Sequence, residues 1–137
     1  SAGGGAPGPL LNLNGQVYSP GYLFSPETGG LASRPLMILS RNKIRAGQRL
    51  SLIVDDPYDI IKVTATMSGS VTHSRNSNSR WVNLEFDVAR DGSAIRVSTP
   101  SRDVMVPGVW LIAVINKAGV PSKARLLQVG MRNNYVA

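Results

Sequence analysis

Short runs rich in Val, Ile and Leu recur along the chain between clusters of Gly, Pro, Asn and Asp, and helical periodicity is nearly absent. Alternation at period two, punctuated by turn residues, is the mark of strands packed on one face. The pattern predicts an antiparallel all-β domain of about eight strands, the number a typical sandwich uses. They fall at 15–18, 36–39, 49–54, 60–66, 81–88, 94–98, 109–115 and 124–129. In the fifth, Val82, Leu84, Phe86 and Val88 alternate with Asn83, Glu85 and Asp87, so one face packs and the other meets water. Asp91-Gly92 follows, and glycine tolerates the positive φ that a tight hairpin connection needs. The segment 109–115 differs, being apolar at every position. It reads as a strand buried on both sides or lying against a neighbouring domain.

A polar run from Ser68 to Arg80 interrupts this pattern between two strand-like segments and carries His73, the one histidine of the chain. Imidazole binds transition metals and moves protons near neutral pH, and a loop can present it to a partner surface. One histidine builds no site alone, and an exposed loop residue is the plainer reading of the residue types. The many serines around it lack a nucleophile-elbow context such as GxSxG, so no Ser-His-Asp arrangement is supported.

Composition narrows the rest. A length of 137 residues with 42% hydrophobic and 17% charged residues suits one soluble globular domain. The opening Ser1 to Pro9, rich in Gly, Ala and Pro, lacks the basic and apolar regions of a signal peptide, and residues 1–13 read as a linker or chain boundary before a domain at 14–137. The most apolar run, Val109 to Ile115, stops at Asn116, far short of the ~20 residues a membrane span requires. Without cysteine there is no disulfide framework, thiolate metal site or cysteine nucleophile.

A formal charge of +7 can attract polyanions, but the basic residues are scattered singly and aromatics make up only 6%. Neither a phosphate-tracking stripe nor a stacking platform is present, which argues against a nucleic-acid partner. Asp55-Asp56-Pro57-Tyr58-Asp59 groups three carboxylates without the spacing of an EF-hand, and Asp before Pro initiates turns. The glycines form no GxGxxG or GxxxxGK[ST] phosphate cradle and read as turns.

The order of four motifs resembles the C-terminal domain of the galactose oxidase and glyoxal oxidase family of copper-radical oxidases. The first runs Val17-Tyr18-Ser19-Pro20-Gly21-Tyr22-Leu23-Phe24, followed by Arg34-Pro35. The second is Gly69-Ser70-Val71-Thr72-His73-Ser74 with Arg80 beyond it. The others are Val106-Pro107-Gly108-Val109-Trp110-Leu111 and Asn116-Lys117-Ala118-Gly119-Val120-Pro121-Ser122.

The resemblance implies an immunoglobulin-like early-set β-sandwich that caps a seven-bladed Kelch-type propeller. In the family a hairpin of this domain enters the propeller's channel and gives a histidine to copper. The matching residue is His73, with Thr72, Ser74 and Arg80 supporting the loop. The remaining copper ligands and the tyrosyl-cysteine radical cofactor would belong to the propeller, so this domain alone carries no catalytic residue and no other cofactor site.

The family's reaction oxidises an alcohol or aldehyde and reduces dioxygen to hydrogen peroxide, which implies an extracellular or cell-envelope protein acting on a carbohydrate or a small alcohol or aldehyde. Arg75 departs from the acidic, amide-bearing stretch usual in the family and adds positive charge beside the implied ligand. A carbohydrate- or wall-binding module is the alternative, weakened by few exposed aromatics, since Tyr18, Tyr22, Trp81 and Trp110 lie at positions expected to be buried. A purely structural propeller cap, with His73 unused, is the third.

Overall fold

A computed structural model describes residues 17–69, 71–72, 75–76 and 79–130, with backbone only at 71–72 and 75–76. It divides into two compact units, Ser1–Ala32 and Ser33–Ala137. In the first, Pro20 leads into a 3-10 turn over Gly21–Leu23, and Phe24 bridges to Leu31. The strand expected at 15–18 is not found where it can be seen: residues 15 and 16 lie outside the described residues, and Val17 and Tyr18 are 98% and 82% exposed and belong to no strand. Pro20, two residues on, has no N–H to give a ladder and turns the chain instead.

Among the described residues the second unit carries ten strands: β1 (Met37–Leu39), β2 (Lys43–Arg45), β3 (Arg49–Val54), β4 (Ile60–Met67), β5 (Val71–Thr72), β6 (Arg75–Asn76), β7 (Trp81–Val88), β8 (Ile95–Ser98), β9 (Gly108–Asn116) and β10 (Arg125–Gly130). Eight of them hydrogen-bond in the order β1-β3-β8-β7-β4-β9-β10-β2, and β5 pairs with β6 apart from these.

Strand β7 turns this ribbon into two layers. Its first half, Trp81 to Leu84, pairs with β4, and its second half, Glu85 to Val88, pairs with β8. One layer is therefore β1-β3-β8 and the end of β7; the other is the start of β7 with β4-β9-β10-β2. At the opposite edge Arg125 donates from Nε to the carbonyl of Met37, tying β10 to β1. Leu52, Ile95 and Val97 of the first layer meet Val63, Ala65, Trp110, Ile112, Val114 and Leu127 of the second in a fully buried core. This is the all-β sandwich that the period-two pattern predicts, with one exception to antiparallel pairing: β2 runs parallel to β10. Strand β2 shows only Ile44 between two cations, too short a run to declare itself by alternation.

Two expectations change with the layers in view. Strand β9 is not buried on both sides: Trp110, Ile112 and Val114 point into the core, while Val109 is exposed and Leu111, Ala113 and Ile115 are half-exposed on the outer face. The alternation is present in burial but not in residue type. The Asp91-Gly92 hairpin forms as expected, with Gly92 at φ +68°, but its connection spans Arg90 to Ser93, closed by Ala89 N–H to the Ala94 carbonyl.

Candidate functional site

The polar run leaves the sandwich between β4 and β7, and its root is built from backbone. The last registered pair of those strands is Thr66 with Trp81. Beyond it Met67 N–H donates to the Arg80 carbonyl at 2.9 Å, and Ser68 N–H donates to the Val109 carbonyl at 2.8 Å. The excursion is thus held on both sides, by β7 and by the start of β9.

Val106 to Trp110 explains how β9 can stand so close. Gly108 has φ +152°, where an L side chain is strained, and a Cβ there would sit 2.8 Å from Met67 Cε. Trp110 is fully buried beneath the root, and its Nε1–H donates to the Val106 carbonyl at 2.9 Å. This motif seats the arm; it carries no chemistry of its own.

Further out, β5 and β6 pair antiparallel, Val71 with Asn76 and Thr72 with Arg75. His73 and Ser74, which separate them in sequence, lie outside the described residues. Thr72 contributes its backbone to the β5–β6 pair, and Arg80 is exposed with its carbonyl at the root. The structure therefore aligns Thr72 and Arg80 along one arm, and the His73 and Ser74 assignments remain expectations from the sequence.

The other motifs are fasteners. Arg34 donates from Nε to the Pro121 carbonyl at 2.9 Å and from Nη2 to the Ser122 carbonyl at 2.8 Å, tying the segment before β1 to the last motif. Ser122 Oγ accepts from buried Val114 N–H, Asn116 Oδ1 accepts from Val120 N–H, and Gly119 supplies the positive φ of the turn.

The acidic loop is likewise spent on backbone. Asp55 accepts from Leu36 and Asp56 N–H, and Asp56 caps the 3-10 turn at Pro57–Asp59 through Tyr58 N–H. At the far end of β7, a groove of about 420 Å³ is lined by Ser51, Arg90, Asp91, Ser93 and Arg96. There the Ser93 hydroxyl and amide hold the Asp91 carboxyl below its ordinary pKa.

A copper centre does not fit this chain by itself. Among the described residues no three His, Cys, Asp or Glu side chains gather, and the whole chain offers one imidazole and no thiolate. Copper of this kind needs several N and O donors, and the described residues bring no such set together.

The aromatics correct another expectation. Trp110 is buried, but Trp81 is 58% exposed, and Tyr18, Tyr22 and Tyr58 are also open to solvent. Trp81 sits at an odd position of β7, on the same face as Asn83 and Glu85, and its place in the alternation was a signal for exposure.

The sandwich, its seated arm and its fasteners define an early-set domain. The family model described as "Galactose oxidase-like, Early set domain" matches residues 34–129, and the chain belongs to that family. It is similar to two galactose oxidases of Gibberella zeae, each 31% identical over 133 residues, covering 94% of this chain and 19% of theirs. The chain therefore spans about a fifth of the length of the curated relatives it matches. A solved structure of a fungal alcohol oxidase of the AA5 family, in complex with copper, is similar with a TM-score of 0.75 at 29% identity, over 82% of this chain and 24% of that one.

Proposed function

We propose that this chain is the C-terminal domain of a Kelch-propeller copper-radical oxidase, inactive alone, which supplies His73 as one copper ligand to a site otherwise built by the propeller. The observation that carries the reading is the arm: backbone pairing on both sides of residues 73 and 74, rooted between β4, β7 and β9 of a domain whose relatives include galactose oxidases and a copper-bound alcohol oxidase. From Met67 to His73 the chain can extend at most about 20 Å, enough to carry an imidazole well away from the sheet.

The polar arm suits a propeller channel, where Ser, Thr and Asn can satisfy the hydrogen bonds of strand edges and water. Bound copper and its radical partner would supply the two-electron oxidation of an alcohol or aldehyde by dioxygen, giving hydrogen peroxide. The role of this chain is to hold a neutral imidazole in place and to cap the propeller, with residues 1–13 as the linker. The parent protein would act outside the cell or in the cell envelope.

In the complete protein His73→Ala is expected to remove most bound copper and peroxide production while the protein stays folded. Unchanged copper content and peroxide yield would refute the ligand assignment and leave a structural cap. The exposure of Trp81 and Tyr58 favours a second reading, a carbohydrate-binding sandwich, because sugars stack on open aromatic rings. Glycan-array binding by the parent that is lost on Trp81→Ala supports it, and a flat array removes it.

A further inference from the structure

We propose that the open groove at the hairpin end of β7 is a binding site for a small hydroxylated carboxylate, a sugar acid, held by Arg90 and Arg96. The inference goes beyond the proposed function and does not depend on it.

The groove lies at the end of β7 remote from the arm, and its volume of about 420 Å³ falls in the range of small-ligand sites, about 300–1,000 Å³. Its hollow comes from side-chain size, because Ala89, Ala94, Ser51 and Ser93 are all small and line it together with two long arginines. The hairpin that carries most of these residues is closed by backbone, with Ala89 N–H on the Ala94 carbonyl and Gly92 N–H on the Ala89 carbonyl, each at 2.8 Å. A wall fixed in this way holds its side chains in place before a ligand arrives.

The two guanidinium groups are underused. Elsewhere in the domain such groups are spent on the fold: Arg34 bonds the carbonyls of Pro121 and Ser122, and Arg125 bonds that of Met37. Arg96 makes only a loose contact, Nη2 standing 3.4 Å from Asp87 Oδ2, beyond ordinary hydrogen-bond length. Its Nε–H is shielded from water and meets no acceptor among the described residues, an arrangement that costs free energy. A carboxylate on the Nε and Nη edge satisfies that donor in the two-bond pairing that guanidinium makes with carboxylate, and the weak hold of Asp87 lets the side chain turn to meet it. Arg90, exposed on the hairpin, has no ion pair or side-chain hydrogen bond among the described residues and brings a second cation to the same groove.

The other lining groups select among anions. Asp91 takes both Ser93 bonds on Oδ1, and Oδ2 has no partner among the described residues. Its carboxyl, held below its ordinary pKa chiefly by Ser93 and in smaller part by the Arg96 charge, stays an acceptor at neutral pH. A dianion such as free phosphate or sulfate is repelled there, whereas a single carboxylate with neighbouring hydroxyls can pair with the arginines and donate to Asp91. The Ser51 hydroxyl, without a partner among the described residues, adds a further polar contact, and the methyls of Ala89 and Ala94 suit the C–H face of a sugar ring.

The test is calorimetric titration of the intact parent protein with glucuronate, with glucose, acetate and inorganic sulfate as comparisons, each at millimolar concentration. Glucose differs from glucuronate by the carboxylate, and acetate by the hydroxylated ring. The expected result is saturable binding of glucuronate at least about tenfold tighter than the other three, the step that one good charged hydrogen-bond pair supplies. Arg96→Lys, which keeps the charge and loses the fork, and Arg90→Ala, on an exposed side chain that leaves the fold intact, should each weaken glucuronate by about tenfold. An unchanged denaturation midpoint shows that each variant is folded.

Absence of glucuronate binding overturns the inference. Glucose binding as tightly as glucuronate removes the role of the arginines, and sulfate or acetate binding as tightly reduces the groove to a general anion contact; either overturns it too. Glucuronate binding that both folded variants retain places the ligand elsewhere in the parent and overturns the assignment to this groove.

Discussion

The two outer faces of this sandwich differ at their centres: the β3-β8 side carries charged and hydroxyl side chains, with exposed Ile38 and Ile53 at its edge, whereas the β4-β9 side mixes Leu126, Leu111 and Trp81 with Thr66, Asn83 and Gln128. On the β3-β8 side, Ser51, Arg96 and Asp87 stand in a row, and Arg96 and Asp87 form a 3.4 Å ion pair that is largely open to water. Such a pair contributes little to stability. On the β4-β9 side, Leu126, Leu111 and Trp81 occupy the equivalent outward positions. The inner face, buried from Leu52 to Leu127, fixes the fold, while the outer faces are free to differ in residue type.

The sharpest way to break the comparison uses the two tryptophans on either side of the β4-β9 layer. Trp110→Ala empties the core beneath the arm and abandons the bond to the Val106 carbonyl. It should cost about 3 to 5 kcal/mol, read as a drop in denaturation midpoint; a midpoint equal to wild type would contradict its burial. Trp81→Ala, at the exposed end, should leave the sandwich's own stability within about 0.5 kcal/mol.

Next in size, Ser122→Ala strips the acceptor from buried Val114 N–H and is expected to lose about 1 to 3 kcal/mol. Gly108→Ala should lose about 1 to 3 kcal/mol through its φ of +152°, with the contact to the flexible end of Met67 adding less. Pairing it with Met67→Ala should recover only that smaller part, which urea denaturation can read. On the polar face, Ile53→Thr on β3 should change the midpoint little, since Ile53 is exposed opposite Ile38 at the sheet's edge.

The smallest effect is on acid stability. Ser93 lowers the Asp91 pKa in the folded state, so the ionised carboxylate stabilises the Arg90–Ser93 connection above the ordinary carboxylate value. That contribution disappears as pH falls through the depressed folded value. Asp91→Asn should therefore narrow the difference in stability between neutral and acid pH; an unchanged pH profile would contradict the role of the Ser93 bonds.

Much of this was written in the sequence, where side-chain period and structural period agree. Strand β7 announces its inward set, and β3 is found at the predicted residues. The pattern failed where partners are distant or outside the chain. Lys43 to Arg45 is a strand only because β10 lies beside it, a pairing of remote residues that alternation cannot reveal. Val71–Thr72 and Arg75–Asn76 pair antiparallel, each a run too short to show alternation.

Strand β9 misled most, because its inward and outward positions carry the same apolar letters and only burial separates Trp110, Ile112 and Val114 from Val109 and Leu111. The candidate site has the same difficulty in stronger form. The copper role proposed for His73 rests on resemblance alone, while Arg34, Gly108, Trp110 and Ser122 proved to be the parts that hold the fold and seat the arm.

The central claim is a split copper site completed by this domain. Its most direct test is copper titration of the parent protein and of its His73→Ala variant, each followed by electron paramagnetic resonance. The account predicts a defined type-2 copper signal at saturation in the parent that is lost or replaced by a weak, heterogeneous one in the variant. An identical signal and stoichiometry in both would contradict it.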